Sequence, residues 1–131
     1  MEKQIEINGV NFNYSVEGEG IPVVLMHGWG CNRTTLASIE KLLVPYFKVY
    51  NVDFPGFGKS TEPQTVWGIE DYTHLTEEFL KKENIENPIL LGHSFGGRVG
   101  ILLSSRNKVR KLILVEAAGI KPRHSMKYYI K

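Results

Sequence analysis

The spacing of apolar residues changes several times along the chain, and each spacing predicts one kind of secondary structure. Apolar residues alternate with polar ones from Ile5 to Ile7 and again from Phe12 to Val16, which is the period of a strand with one buried face. Asn8 and Gly9 separate the two runs, and both residues tolerate the positive φ of a type I′ turn. This segment therefore predicts an antiparallel hairpin.

Short apolar runs and segments of helical spacing follow the hairpin in turn. The apolar runs cover residues 23–26, 47–52, 88–91 and 112–115, and helical spacing is found at residues 36–43, 69–80 and 99–103. Continuous apolar runs are typical of strands that are buried on both faces. Their alternation with helices predicts an α/β fold, with a mostly parallel sheet of about six strands flanked by helices and the antiparallel hairpin at its N-terminal end.

Length and charge narrow the classes of protein that this chain can represent. Its 131 residues suit one domain, and its net charge of +2 implies no nucleic-acid partner. No segment approaches the ~18 consecutive apolar residues of a membrane span. Cys31 is the one cysteine, which fits a reducing compartment, and residues 1–8 are too polar for a signal peptide. We therefore expect a cytoplasmic protein.

The segment from Gly92 to Gly97 carries the clearest chemical signal. It reads Gly-His-Ser-Phe-Gly-Gly and lies directly after a predicted buried strand and before a predicted helix. In this context G-x-S-x-G predicts a nucleophile elbow with Ser94 as the nucleophile, and the following helix N-terminus favours negative charge near the serine. A plain strand-to-helix turn is the less favoured interpretation.

The segment His27-Gly28-Trp29-Gly30 follows an earlier buried strand and predicts the second half of the site. Acyl transfer needs hydrogen-bond donors aimed at the developing oxyanion. We expect one donor to be the backbone N–H of Phe95, next to the serine, and the other to be the N–H of Trp29. Alone, this segment would fit a glycine turn beside a buried aromatic residue equally well. The residues expected to support the site are His27, Gly28, His93 and Gly96.

Three segments resemble motifs of the α/β-hydrolase superfamily, and they occur in the family's order between about Gly9 and Val115. Residues 27–30 look like the oxyanion loop, residues 53–60 look like the D-x-P-G-x-G-x-S segment, and residues 92–97 look like the elbow. The resemblance implies a serine hydrolase of carboxylesterase type, acting on ester or related acyl bonds of small molecules. It also implies that Asp53 forms a turn at the rim of the site.

The chain departs from the family's pattern in its catalytic acid and base. The family's order is serine, then acid, then histidine, but the sequence stops about where a sixth strand ends and a cap would begin. We therefore expect residues 1–131 to be the N-terminal part of a truncated hydrolase domain, with a core at 1–119 and a tail or cap start at 120–131. Glu116 is a possible acid, although a polar strand end is the favoured interpretation.

None of the four histidines is a convincing general base. His93 adjoins Ser94, and strand alternation directs its side chain to the other side. His27 belongs to the oxyanion loop, His74 lies on an amphipathic helix, and His124 is in the tail. A serine whose proton has no acceptor is a poor nucleophile at neutral pH.

Two functions therefore stay open, and neither requires a cofactor or a metal, since the sequence has no zinc-type ligand cluster and no Walker pattern. The first is a serine hydrolase that needs the missing C-terminal half. The second is an inactive half-domain that self-associates, because the strand at 109–115 would present an unpaired edge and two copies could pair there as a homodimer. A third possibility is that His124 of one copy reaches Ser94 of another and restores a base.

Overall fold

Six strands form one sheet in the computed structural model, which describes residues 1–116. The strands are β1 (Glu2–Ile7), β2 (Val10–Glu17), β3 (Pro22–Met26), β4 (Lys48–Val52), β5 (Ile89–His93) and β6 (Lys111–Val115). Their order in the sheet is β1-β2-β4-β3-β5-β6. β1 and β2 pair antiparallel, as do β2 and β4, and the remaining pairs are parallel. This arrangement confirms the predicted α/β fold.

The hairpin forms at the predicted position because its two turn residues adopt the left-handed backbone conformation. Asn8 has φ of 50° and Gly9 has φ of 81°, and they alone connect β1 to β2. A two-residue turn with both φ values positive has the twist that matches paired strands. The tail from residue 120 to residue 131, its boundary after residue 119, and His124 lie outside the described residues.

Within residues 1–116, three helices pack on the sheet and cover both of its faces. They are α1 (Ala37–Leu43), which follows a 3₁₀ turn at Arg33–Leu36, α2 (Ile69–Lys82) and α3 (Phe95–Arg106). Along β3, Val24 and Met26 belong to the apolar cluster that includes residues of α2 and α3. Val23 and Leu25 belong to the cluster that includes Leu36 and the partly buried side chains of α1. Successive residues of a buried strand thus serve two cores.

The helix α1 differs in one detail from the apolar spacing that predicted it. Leu36 is buried, but Leu42 is 72% exposed, although both fit a helical repeat. At 100° per residue, Leu42 lies roughly 90° from the centre of the stripe formed by Leu36, Ile39 and Leu43. The stripe that contacts the sheet is therefore narrower than the sequence pattern indicated.

The segment after β4 is organised by the buried carboxylate of Asp53. This carboxylate accepts hydrogen bonds from Asn13 Nδ2 at 2.9 Å, from the backbone N–H of Arg33 at 2.7 Å and from the backbone N–H of Lys59 at 3.1 Å. Ser60 Oγ donates to the carbonyl oxygen of Asp53 at 2.6 Å. The four contacts connect β2, the 3₁₀ turn and the loop itself, as expected of a residue that forms a turn at the rim.

Candidate active site

Ser94 lies between β5 and α3 in a backbone conformation that residues other than glycine rarely adopt. Its φ is 54° and its ψ is −114°, and such a residue costs on the order of 1–3 kcal/mol unless its surroundings hold it there. Its N–H donates to the carbonyl of Val115 at 3.0 Å, and its carbonyl accepts from the N–H of Gly97 at 2.9 Å. The end of β6 and the first turn of α3 therefore hold Ser94 from both sides.

Two glycines in this turn lie so close to neighbouring backbone atoms that neither position has room for a side chain. A Cβ on Gly92 would lie 2.5 Å from the carbonyl oxygen of Gly96 and from Cα of Gly97. A Cβ on Gly96 would collide with the carbonyl oxygen of Met26, the last residue of β3. The elbow thus needs hydrogen at both positions, which is the physical reason for the two glycines of the motif.

The oxyanion loop approaches Ser94 through Gly28. The N–H of Cys31 donates to the carbonyl of Gly28 at 3.1 Å, and Gly30 has φ of 80°, so residues 28–31 form a turn whose third residue must be left-handed. A Cβ on Gly28 would lie 3.1 Å from Cβ of Ser94 and 2.9 Å from His93 Nδ1. The two predicted halves of the site are therefore neighbours in space.

The two predicted oxyanion donors, the backbone N–H groups of Trp29 and Phe95, donate to no protein acceptor among residues 1–116. Phe95 is the first residue of α3, where an N–H has no partner within the helix. The ring centroids of Trp29 and Phe95 lie 5.1 Å apart in an edge-on arrangement. The structure therefore brings together Ser94 and two residues whose N–H groups are available.

His27 is fully buried and connects the oxyanion loop to the rim. Its Nε2 accepts the backbone N–H of Phe54 at 2.9 Å. The proton of the neutral ring is therefore on Nδ1, which donates to the carbonyl of Gly28 at 2.7 Å. Burial lowers the pKa of His27 below its ordinary value of 6.5. The Gly28 carbonyl and Asp53 oppose this with smaller effects, and the nearby His93 adds a still smaller lowering.

No histidine within the described residues hydrogen-bonds to Ser94. Both ring nitrogens of His27 are already engaged, and His74 is exposed on α2, 3.9 Å from Glu77. His93 Nδ1 is buried without a hydrogen-bond partner, beside Gly28. From the sequence, strand alternation is expected to direct the His93 side chain away from Ser94. This alternation does not reach Ser94, because Ser94 lies beyond the end of β5, where the backbone turns sharply.

Glu116 directly follows β6, one residue after the carbonyl that binds the N–H of Ser94. It has φ of 45° and an exposed side chain. Its carboxylate makes no hydrogen bond to another described residue. Glu116 thus lies beside the backbone of the elbow.

Aromatic side chains around Trp29 were not anticipated from the sequence. The ring of Trp29 contacts Phe57 at 4.9 Å and Tyr72 at 5.9 Å between centroids, both nearly perpendicular. Phe57 belongs to the rim segment, and Tyr72 belongs to the first turns of α2. The signal in the sequence was the unusual density of aromatic residues between residues 54 and 72.

Neither a membrane-spanning helix nor a metal-binding cluster is found in residues 1–116. No helix in this range is long and apolar enough to cross a bilayer. Likewise, no group of three or more His, Cys, Asp or Glu side chains there could hold a metal ion.

The fold and the arrangement around Ser94 define an α/β hydrolase. A family model described as the alpha/beta hydrolase family matches residues 23–129. The chain belongs to this family.

Relatives in the family carry out more than one hydrolytic reaction. The chain is 36% identical over 110 residues to the pimeloyl-[acyl-carrier protein] methyl ester esterase of Vibrio campbellii, covering 82% of this chain and 41% of that protein. It is 27% identical over 126 residues to a 2-hydroxy-6-oxo-6-(2'-aminophenyl)hexa-2,4-dienoic acid hydrolase of Metapseudomonas resinovorans, with coverages of 92% and 43%.

A solved esterase from Exiguobacterium antarcticum superposes with a TM-score of 0.84 at 30% identity, covering 91% of this chain and 46% of the esterase. The chain therefore spans less than half the length of these relatives.

Replacing Gly96 by Ala tests the close packing of the elbow. The added methyl group has no space against Met26, so we expect the free energy of unfolding to fall by about 1–3 kcal/mol or more, measured by urea titration. Gly68→Ala is the matched control, because a Cβ there meets nothing within 4 Å. Equal losses in the two variants would contradict the packing argument.

The buried neutral His27 predicts a loss of stability in weak acid. The unfolded chain binds a proton at residue 27 near pH 6.5, whereas the pKa of His27 in the folded chain is lower. The free energy of unfolding therefore falls as the pH falls through about 6.5. His27→Gln retains an acceptor for Phe54 and removes the titration, so it should flatten this dependence. The control His74→Gln should leave the pH dependence as it is in wild type. An unchanged slope in His27→Gln would refute the explanation.

Proposed function

We propose that this protein is a serine hydrolase that acts on ester or related acyl bonds with Ser94 as its nucleophile. The observation that carries the proposal is the strained backbone of Ser94 next to two backbone N–H groups without protein partners. Strain of this kind is concentrated at functional sites, because a surrounding structure must be built to hold it. The esterase activity of two relatives supports the same reaction class.

The proposed reaction begins with attack of Ser94 Oγ on the carbonyl carbon of the substrate. The carbonyl oxygen then becomes an oxyanion, and the N–H groups of Trp29 and Phe95 would stabilise it. Removing one such donor typically slows a hydrolase by about 10²–10³-fold. The proton of Ser94 passes to a base and then to the departing alcohol, which leaves the acyl group on Ser94 until water releases it.

The base of this reaction is proposed to lie outside residues 1–116. In the described part of the chain, His27 has both nitrogens engaged and His74 is exposed on α2. His93 has a buried Nδ1 without a partner, but it makes no hydrogen bond to Ser94. Glu116 remains a candidate acid because of its position beside the elbow. A C-terminal half of the parent hydrolase would be the expected partner that supplies the base, and the cytoplasm remains the expected location.

Replacing Ser94 by Ala tests the proposed nucleophile. We expect the chain, supplied with the C-terminal half that carries the base, to hydrolyse p-nitrophenyl butyrate. Turnover should fall to the uncatalysed rate in Ser94→Ala, because the attacking oxygen is removed. Ser105→Ala is the control, since this exposed hydroxyl on the same helix contacts only the carbonyl of Leu102. Equal turnover in wild type and Ser94→Ala would disprove the assignment, and absence of turnover in wild type together with the C-terminal half would favour the second function below.

A second candidate function is a non-catalytic half-domain that self-associates through β6. Within residues 1–116, β6 pairs with β5 alone, and none of its apolar side chains is fully buried. Ile113 and Val115 only partly contact the apolar cluster beneath α1. An unpaired apolar strand edge is a template for a second copy, and pairing around a twofold axis would cover both edges.

Self-association is tested by the oligomeric state of the purified chain. We expect light scattering at micromolar concentration to show a dimer or larger species. Ile113→Lys should shift it to a monomer, because a charge on an edge strand opposes pairing. Ile101→Lys, on α3 where the side chain is already 45% exposed, should leave the dimer intact. A wild-type monomer would exclude this second function.

A further inference from the structure

A cavity of about 650 Å³ lies between the oxyanion loop and the segment that follows β4. Its walls include four aromatic side chains, one from the oxyanion loop, two from the segment after β4 and one from α2. These are Trp29, Phe57, Trp67 and Tyr72. Trp29 is 59% exposed, which is unusual for the largest apolar side chain. An exposed indole on the wall of a cavity points to a bound group.

The aromatic side chains form one continuous wall. Trp29 contacts Phe57 and Tyr72 edge-on, and Trp67 contacts Tyr72 with centroids 5.2 Å apart and planes at 78°. Such pairs are stabilising beyond their apolar contact area. Tyr72 is buried, and its hydroxyl donates to the carbonyl of Pro55 at 3.3 Å. The wall is therefore anchored to both the rim and α2.

The charge around this cavity is negative and unbalanced. Glu62 contributes the one charged side chain to its lining within the described residues. Burial raises the pKa of Tyr72, and the carboxylates of Asp71 and Glu62 raise it further. The lining that residues 1–116 provide thus offers a ligand aromatic rings and one carboxylate, and no basic side chain.

The aromatic wall and the negative charge of the cavity favour the same kind of ligand. The face of an aromatic ring carries negative charge density and attracts ammonium groups, and Glu62 attracts them as well. A carboxylate or phosphate ligand would be repelled by both, and a neutral alkyl group would gain only from apolar contact. We propose that the cavity binds an organic cation, namely an alkylammonium group, and that this group is part of the substrate.

Trp29 connects the cavity to the proposed reaction. Its backbone N–H is the proposed oxyanion donor, and its side chain lines the cavity. A group bound against the indole therefore lies close to the carbonyl that Ser94 would attack. The assignment of the cation to an ester substrate rests on the proposed function, whereas binding of the cation itself does not.

Intrinsic fluorescence measures this binding directly, because both tryptophans of the chain line the cavity. The probes are choline, its neutral isostere 3,3-dimethylbutan-1-ol, and the anion 3,3-dimethylbutanoate. We expect saturable quenching by choline, with affinity about fivefold higher than for the neutral alcohol, and no saturation by the anion. Equal affinity for choline and the neutral alcohol, or tighter binding of the anion, would overturn the inference.

Two variants locate the binding in this cavity. Glu62→Gln should weaken choline binding a few-fold and leave the neutral alcohol unchanged, whereas Glu19→Gln, on an exposed turn, should change neither. Trp67→Leu should weaken both ligands, and Tyr46→Leu, whose ring is 75% exposed elsewhere, should weaken neither. Choline affinity that is unaffected by both Glu62→Gln and Trp67→Leu would refute the cavity as the site.

The Ser94→Ala variant separates this inference from the proposed function. It should bind choline like wild type, since Ser94 does not line the cavity. If hydrolysis depends on Ser94 but choline does not bind, only the inference is wrong. If choline binds and hydrolysis is independent of Ser94, only the function is wrong.

Discussion

The contact between the elbow and the end of β3 is the constraint on which the rest of the site depends. Gly96 packs so closely on the carbonyl of Met26 that even a methyl group would collide. This contact fixes the start of α3 against the sheet, and the N–H of Phe95 is thereby left without a partner beside Ser94. It also places the residue after Met26, His27, directly next to the elbow. The strained conformation of Ser94 and the position of the oxyanion loop thus follow from one backbone approach.

His27 extends this arrangement from the elbow to the rim. Its two nitrogens link Gly28 in the oxyanion loop to Phe54 after β4, and Asp53, the residue before Phe54, holds β2, the 3₁₀ turn and the rim together. A neutral imidazole suits this role because it both donates and accepts a hydrogen bond. The loop that carries Trp29 is therefore anchored by buried polar contacts in a largely apolar core.

The sequence predicted the elements well wherever local chemistry decides the conformation. Asn8-Gly9 formed the expected hairpin turn, and each apolar run became a strand, because these signals act within a few residues. The sequence predicted less where packing between segments that are distant in the chain decides the position of a side chain. The exposure of Leu42, the contact of His93 with Gly28, and the aromatic wall around Trp29 all depend on how separate segments meet. The role of Ser94 remains a prediction from the motif, now with a consistent geometry around it.

The two proposed oxyanion donors belong to the backbone, and this has a consequence for how the site can change. Substituting the side chain of Trp29 would reshape the neighbouring cavity while leaving an N–H at the same place in the chain. In the proposed site, the preference for a substrate group and the stabilisation of charge at the reacting carbonyl would thus be encoded by different atoms of one residue.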